Sequence, residues 1–150
     1  MKKILVTGGS GFLGSHIADR LSDAGHLVTI FDQNRSRYLR SDQNMIVGDI
    51  NDSRAVYETV SGMEIVYHFA ALADLNKAKN DPVNSMQINV MGTLNLLEAC
   101  RKAKIERFVF ASSIYVCSKS GSFYRVSKHA CELMIEEYNR CYGLDFTNLR

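Results

Sequence analysis

The sequence predicts an α/β domain built on a doubly wound parallel sheet with helices on both faces. Short apolar runs rich in β-branched residues alternate along the 150-residue chain with segments whose apolar residues recur at helical spacing. Strands that alternate with helices form parallel sheets, and nearly continuous apolar runs are typical of strands covered on both faces. Because a chain of this length is long enough for one hydrophobic core, we expect residues 1–150 to form a single domain.

The first half of the chain predicts four strands, with one helix after the first strand and another after the third. The first helix is indicated by apolar residues at helical spacing that begin at Phe12 and end before Gly25. The predicted elements are a strand at 2–7, the helix from Phe12 to Gly25, a strand at 27–31 closed by Asp32, a surface loop or short helix at 33–44, a strand at 45–49, a helix at 51–62 capped by Asn51 or Asp52, and a strand at 64–70.

The second half of the chain predicts two helices and two further strands. Asp81 and Pro82 form an N-cap followed by proline at the first helical position, which opens a long helix over 82–103. The remaining predicted elements are a strand at 107–111, a helix at 124–142 and a sixth strand at 144–150. Because a sheet that ends on Arg150 lacks closing elements, we expect the chain to be truncated after this strand.

Composition and charge indicate which classes of molecule the chain is expected to bind. Hydrophobic residues make up 46% of the chain and charged residues 23%, and 18 basic against 16 acidic side chains leave a net charge of +2. This balance indicates neither a nucleic acid nor a membrane as a partner. No apolar run is long enough for a signal peptide or a membrane span. The four cysteines lack the spacing of metal ligands, so we expect no metal and reduced thiols in a cytoplasmic protein.

A glycine-rich turn directly after the first strand predicts a dinucleotide site. Gly8, Gly11 and Gly14 have the spacing G-x-x-G-x-x-G between a strand and a helix. Gly8 can make the tight turn, Gly11 lets the backbone approach a pyrophosphate, and Gly14 lets the helix pack closely on the strand. The first amides of that helix point at the phosphates. We therefore expect an NAD(P)-binding domain of the Rossmann type.

Two carboxylates at strand ends indicate which dinucleotide the site binds. Asp32 closes the second strand, where a carboxylate accepts hydrogen bonds from the adenosine ribose and repels a 2′-phosphate, so NAD is predicted over NADP. Arg35 and Arg37 follow it and are interpreted as solvated loop charges. Asp49 ends the third strand, and it either hydrogen-bonds the adenine amino group or caps the next helix.

A serine, a tyrosine and a lysine are the candidates for chemistry. Tyr124 and Lys128 are one helical turn apart and share a face, and a neighbouring ammonium, helped by the positive charge of the nicotinamide, would lower the pKa of the tyrosine. Ser113 follows the fifth strand, at the sheet edge where open α/β sheets bind ligands. Its hydroxyl is placed to hydrogen-bond the substrate oxygen that Tyr124 deprotonates.

The combined motifs resemble the extended branch of the short-chain dehydrogenase/reductase superfamily, the NAD-dependent epimerases and dehydratases of nucleotide sugars such as UDP-glucose 4-epimerase. The resemblance covers essentially all 150 residues and the N-terminal portion of the family. It rests on these segments, in chain order: TGGSGFLG, the acid at 32, GDI, HFAA, NVMGTLNLLEA, FVFASS and YRVSK.

The resemblance implies roles for individual residues. Ser113, Tyr124 and Lys128 match the catalytic set, while His68 is interpreted as a packed structural residue. Asn89 matches an asparagine that holds the loop after the fourth strand and sometimes touches the cofactor. The implied cofactor-binding residues are Gly8, Gly11, Phe12, Leu13, Gly14, Asp32, Asp49, Ile50, Phe69, Ala70, Ala71, Asn89, Tyr124 and Lys128.

Departures from the family pattern bear on the substrate. The segment between Ser113 and Tyr124 is shorter than the family's loop, which normally helps to wall the sugar site. Ile114 and Tyr115 stand where dehydratases carry an acid pair, which argues against water elimination. The smaller C-terminal substrate domain of the family is absent, so the 150-residue chain alone is expected to be inactive.

The resemblance implies an NAD-dependent epimerase acting at C4 of a nucleotide sugar such as a UDP-hexose. Tyr124 would take the hydroxyl proton while NAD accepts a hydride, and the sugar would then be reduced on its other face. One alternative is a net alcohol dehydrogenase or reductase of the same superfamily, and another is a non-catalytic NAD-binding regulatory protein. The apolar faces of 82–103 and 124–142 further imply a homodimer, unless the sheet of the same chain uses them fully.

Overall fold

The computed structural model describes residues 1–150 and contains one sheet of six parallel strands, as the sequence predicts. The strand order is β3-β2-β1-β4-β5-β6, so the direction of winding reverses between β1 and β4. Ligands of open α/β sheets bind at the carboxyl ends of the strands beside such a reversal. The strands are β1 (Lys3–Thr7), β2 (Leu27–Asp32), β3 (Asn44–Val47), β4 (Ile65–His68), β5 (Arg107–Ala111) and β6 (Phe146–Leu149).

Six α-helical segments connect the strands. They are α1 (Phe12–Asp23), α2 (Ser53–Val60), α3 (Leu75–Asn80), α4 (Pro82–Met86), α5 (Gly92–Ala103) and α6 (Ser122–Tyr142). Between β2 and β3 the chain forms a loop rather than the alternative short helix. The short α3 is absent from the sequence-based prediction, although the Asp74 carboxylate caps its first turn. None of the helices has the length and apolar character that crossing a membrane requires.

The long helix predicted over 82–103 contains an irregular turn. A π-helical segment, Gln87–Met91, lies between α4 and α5, and the residues at both junctions keep helical backbone angles. A π turn accommodates one extra residue and therefore changes which side chains face the sheet. Asn89, which the sequence singles out, lies within this turn and is 2% exposed.

The core lies on both faces of the sheet. On one face α1 packs on β1 and β2, where Ile4, Val6 and Ile30 meet Ala18. On the other face α2, α5 and α6 cover a larger cluster of 16 buried residues. This confirms the predicted arrangement of helices on both sides of a parallel sheet, and it leaves the carboxyl ends of the strands as one continuous edge.

Candidate functional site

The glycine turn after β1 brings three backbone segments into direct contact. Gly8 has a φ of +72°, and a Cβ there would lie 2.5 Å from the Ala70 nitrogen and 2.6 Å from the Phe69 carbonyl carbon. A Cβ on Gly14 would collide with the Gly8 carbonyl oxygen. Both positions therefore require glycine, because the turn leaves no room for a side chain between β1, β4 and α1.

The N-terminus of α1 leaves amide donors free. Gly11 caps this helix with extended backbone and no side-chain hydrogen bond, and the Phe12 and Leu13 amides have no acceptor within the chain. Unpaired amides at the positive end of a helix form a binding site for an anion such as a phosphate. The side chains of Phe12 and Leu13 are 77% and 61% exposed, so only their backbone faces this turn.

The two predicted carboxylates lie at neighbouring strand ends. Asp32 accepts hydrogen bonds from the Ser10 amide at 3.1 Å and the Asn34 amide at 2.9 Å, which hold its carboxylate against the glycine turn. Asp49 accepts the Asn51 amide at 2.9 Å. The cap of α2 is Asp52, so capping does not explain Asp49.

A cavity of about 600 Å³ opens at the carboxyl ends of β1, β2 and β4. Many of the predicted cofactor residues line it: Gly8, Gly11, Asp32, Asp49, Ile50, Phe69, Ala70 and Ala71. Lys77 of α3 and Asn84 of α4 also line it, although sequence reasoning missed both. The volume and the mixed polar and apolar lining are those of a small-molecule or cofactor site.

Asn89 holds one wall of this cavity. Its Oδ1 accepts the Leu72 amide at 2.7 Å, and its Nδ2 donates to the Leu72 carbonyl at 3.2 Å and to the Ser127 hydroxyl at 2.9 Å. These bonds link the loop after β4 to α6. Because protein partners occupy both polar atoms of the side chain, Asn89 supports the loop and does not line the cavity.

His68 is a buried structural residue, as the sequence suggests. Its Nδ1 lies 2.6 Å from the Thr7 hydroxyl and its Nε2 lies 2.9 Å from the Thr93 hydroxyl. Thr93 donates its proton to the Asn89 carbonyl, so it accepts from Nε2–H and the neutral ring carries its proton there. Burial, aided by the positive charge of Lys128, lowers the pKa of His68 to about 3.

The three candidates for chemistry lie together at the end of β5. Ser113 caps a short 3₁₀ turn and accepts the Tyr115 amide at 3.2 Å. Lys128 is 3% exposed, and its Nζ donates to the Ala111 carbonyl at 2.7 Å. The same Nζ lies 5.8 Å from the centre of the Tyr124 ring. None of the three lines the cavity, so they form a separate cluster at the same sheet edge.

The electrostatics of this cluster correct one expectation. The sequence predicts that Lys128 lowers the pKa of Tyr124, but partial burial raises the pKa of this phenol, and the nearby Ser113 hydroxyl lowers it only in part. Burial also lowers the pKa of Lys128 to about 8. The physical reason is that burial of the phenol makes the largest contribution, while the Lys128 ammonium is held by the Ala111 carbonyl and lies 5.8 Å from the centre of the Tyr124 ring.

An acidic residue beside this cluster was also missed. Glu132 is 3% exposed and accepts hydrogen bonds from Ser112 and from Arg150. The signal was available, because Glu132 follows Lys128 by one helical turn and therefore lies on the same face of α6.

Comparisons with known proteins agree with this geometry. Residues 4–150 match the model of the family described as "NAD dependent epimerase/dehydratase family". The structure of UDP-glucose 4-epimerase from Thermus thermophilus in complex with NAD is similar with a TM-score of 0.91 and 33% sequence identity. That similarity covers 99% of this chain and 54% of the Thermus chain.

Two curated relatives differ in their chemistry. The UDP-glucose 4-epimerase of Corynebacterium glutamicum is 32% identical over 165 residues, covering 99% of this chain and 50% of the relative. A 3 beta-hydroxysteroid dehydrogenase/Delta 5-->4-isomerase of Mycobacterium tuberculosis is 37% identical over 116 residues, covering 74% of this chain and 31% of that enzyme. The chain thus spans about half the length of the two epimerases that it matches.

Proposed function

Because the chain belongs to the NAD-dependent epimerase/dehydratase family, whose cofactor is NAD, we propose that residues 1–150 are the cofactor-binding part of a sugar-nucleotide epimerase. The proposal rests on one observation. A cavity lined by residues predicted to bind a dinucleotide lies at the same sheet edge as the cluster of Ser113, Tyr124 and Lys128. The substrate would be a nucleotide sugar such as a UDP-hexose, the class that the epimerase relatives are named for.

The residues that line the cavity fit NAD. We propose that the glycine turn and the free amides of Phe12 and Leu13 hold the pyrophosphate, because no side chain or backbone acceptor competes for them. Asp32 would accept the ribose hydroxyls, and Asp49 with Ile50 would contact the adenine. Phe69, Ala70 and Ala71 would form the wall that Asn89 supports.

Proton transfer and positioning would be the contribution of this chain. When bound, NAD supplies a group that accepts a hydride from the sugar carbon and returns it. In its ionised form Tyr124 would take the proton of the sugar hydroxyl and later give it back, while Ser113 would hydrogen-bond the same oxygen. Lys128 has three donors, of which the Ala111 carbonyl takes one, so the others are free for ribose hydroxyls of the cofactor.

The test is Tyr124→Phe, assayed with residues 1–150 grafted in place of the matching half of the Thermus epimerase. We expect epimer formation to fall at least about a hundredfold, because the proton acceptor is lost while NAD binding is retained. The control is Tyr142→Phe, which removes an exposed hydroxyl near the end of the same helix. Unchanged turnover in the Tyr124 variant would contradict the proposed role of Tyr124, and a chimera that binds NAD without any turnover before mutation would favour a non-catalytic NAD-binding protein. The ungrafted chain should bind NAD without turnover.

A net dehydrogenase is the second candidate, favoured by the similarity to the mycobacterial steroid enzyme. The two reactions differ in their net consumption of NAD, because an epimerase regenerates NAD in each cycle and a dehydrogenase accumulates NADH. Stoichiometric NADH formation, followed by its absorbance, without epimer would therefore select the dehydrogenase.

We further propose that the chain forms a homodimer through α4, α5 and α6. Exposed apolar side chains lie on α4 and α6, on either side of α5 in the chain, with Val83 78% exposed and Leu133 54% exposed. Together with Met91, Phe123 and Val126 they form an apolar surface that water would leave on association. Sedimentation equilibrium is expected to give twice the 16.9 kDa chain mass, and Leu133→Glu is expected to give monomers. A wild-type monomer at about 100 μM would contradict this interface.

A further inference from the structure

Three residues on one stripe of α6 meet three successive residues at the end of β5. Tyr124, Lys128 and Glu132 are spaced by four residues and therefore lie on one face of the helix. Lys128 donates to the Ala111 carbonyl, and Glu132 accepts from the Ser112 hydroxyl. Ser113 follows Ser112 directly and caps the short 3₁₀ turn after β5. The two contacts of Lys128 and Glu132 set the position of the strand end that carries Ser113, and Tyr124 lies one turn before Lys128 on the same stripe.

Glu132 has the surroundings of a buried anchor. Its Oε1 accepts the Nε of Arg150 at 3.0 Å and its Oε2 accepts Nη2 at 2.7 Å. Burial alone would raise the pKa of this carboxyl, but hydrogen bonds from Arg150 and Ser112 bring the pKa below its ordinary value. The carboxylate is therefore charged at neutral pH and joins α6 to the ends of β5 and β6.

Ser112 transmits this constraint to the next residue. Its hydroxyl is held by Glu132, and its amide donates to the Leu149 carbonyl at 2.8 Å. Because these two hydrogen bonds fix the position of Ser112, the extended backbone of Ser113 (φ −158°, ψ 147°) begins at a fixed position. Ser113 then has little freedom to move relative to α6.

We propose that Glu132 is a positioning residue that acts through Ser112 to hold the Ser113 hydroxyl against the Tyr124 phenol. The inference rests on the proposed function, since it deepens the roles given there to Ser113 and Tyr124. An ion pair whose arginine is 47% exposed, as Arg150 is, adds little to stability. Its contribution here is geometric, because it sets the distance between Ser113, which follows β5, and Tyr124, which lies on α6.

The experiment is an NMR titration of the Tyr124 phenol in the chain labelled with carbon-13 at the tyrosine ζ-carbon. Ser113→Ala is the reference, because it removes the hydroxyl that lowers the pKa of Tyr124 and should move the titration midpoint upward. Ser112→Ala and Glu132→Gln are expected to move the midpoint in the same direction. Glu137→Gln is the matched control, since it breaks an exposed ion pair with Arg140 on the same helix and should leave the midpoint unchanged.

Glu132→Gln removes the buried carboxylate that pairs with Arg150, which risks a loss of folded protein. The double change Glu132→Gln with Arg150→Gln removes both charges, and Ser112→Ala removes only a hydroxyl, so folded protein is available for the titration. An upward shift in Ser113→Ala with no shift in the Ser112 and Glu132 variants would overturn the role of Glu132. No shift in Ser113→Ala would instead contradict the pairing of Ser113 with Tyr124, which belongs to the proposed function. The titration requires neither NAD nor sugar.

Discussion

Lowering the pH from 6.5 towards 3 is expected to reduce the free energy of unfolding by about 1.4 kcal/mol per pH unit through His68 alone. In the unfolded chain this imidazole has its ordinary pKa of 6.5, whereas burial lowers the pKa to about 3 in the fold. Between these two pKa values the imidazole is protonated in the unfolded state and neutral in the folded state, so the free energy of unfolding falls as the pH falls. Above pH 6.5 both states are neutral and the contribution of His68 to stability is fully present.

The accumulated loss is about 5 kcal/mol, which is comparable to the whole stability of many domains. The measurement is urea unfolding at a series of pH values for the wild type and His68→Asn, since an asparagine amide can also accept and donate. The variant should lose this part of the pH dependence, whereas replacing the exposed His129 by Gln should retain it. Equal pH slopes for wild type and His68→Asn would show that other groups cause the acid lability.

Gly8→Ala is expected to destabilise the fold by about 3 kcal/mol or more and to remove NAD binding. An alanine at φ +72° costs about 1–2 kcal/mol for its left-handed backbone. The new methyl group would also meet backbone atoms of Phe69 and Ala70 at 2.5–2.6 Å, and backbone cannot rotate away as a side chain can. Relief of this contact would separate β1 from β4 at the floor of the cavity.

Gly25→Ala is the matched control for this substitution. Gly25 has a φ of +81° but no atom within 4 Å of a Cβ, so only the backbone cost of about 1–2 kcal/mol remains. Thermal unfolding and isothermal titration with NAD should show the larger destabilisation and the binding loss only for Gly8→Ala. Similar losses of stability in both variants would indicate that the close approach of the two strands is easily relaxed.

The predicted turn at Gly8 and the predicted position of Asp32 at a strand end have a local cause. The turn after β1 needs a left-handed residue and close backbone contact, and few residue patterns satisfy both requirements. The parallel sheet followed similarly from alternating apolar runs, since crossovers in α/β sheets have one preferred hand. These features depend on short segments, so a single sequence is sufficient to predict them.

Features that depend on tertiary packing were not predicted. α3 has only Leu75 and the buried Ala78 as apolar residues on a turn and a half, which is too short a pattern to recognise. The raised pKa of Tyr124 depends on its burial, and the direction of the Lys128 ammonium is set by a hydrogen bond. That direction is set by a carbonyl of β5, 17 residues earlier in the chain, which helical spacing alone does not reveal.

The bonds of Asn89 have a dynamic consequence for the proposed site. Local opening of the loop after β4 must break its pair of hydrogen bonds to Leu72, and the same side chain is bonded to Ser127, adjacent to Lys128. We therefore expect opening fluctuations of the cavity wall and of the Tyr–Lys helix to be coupled. A ligand that holds the wall in place is then expected to slow the motions of the helix as well.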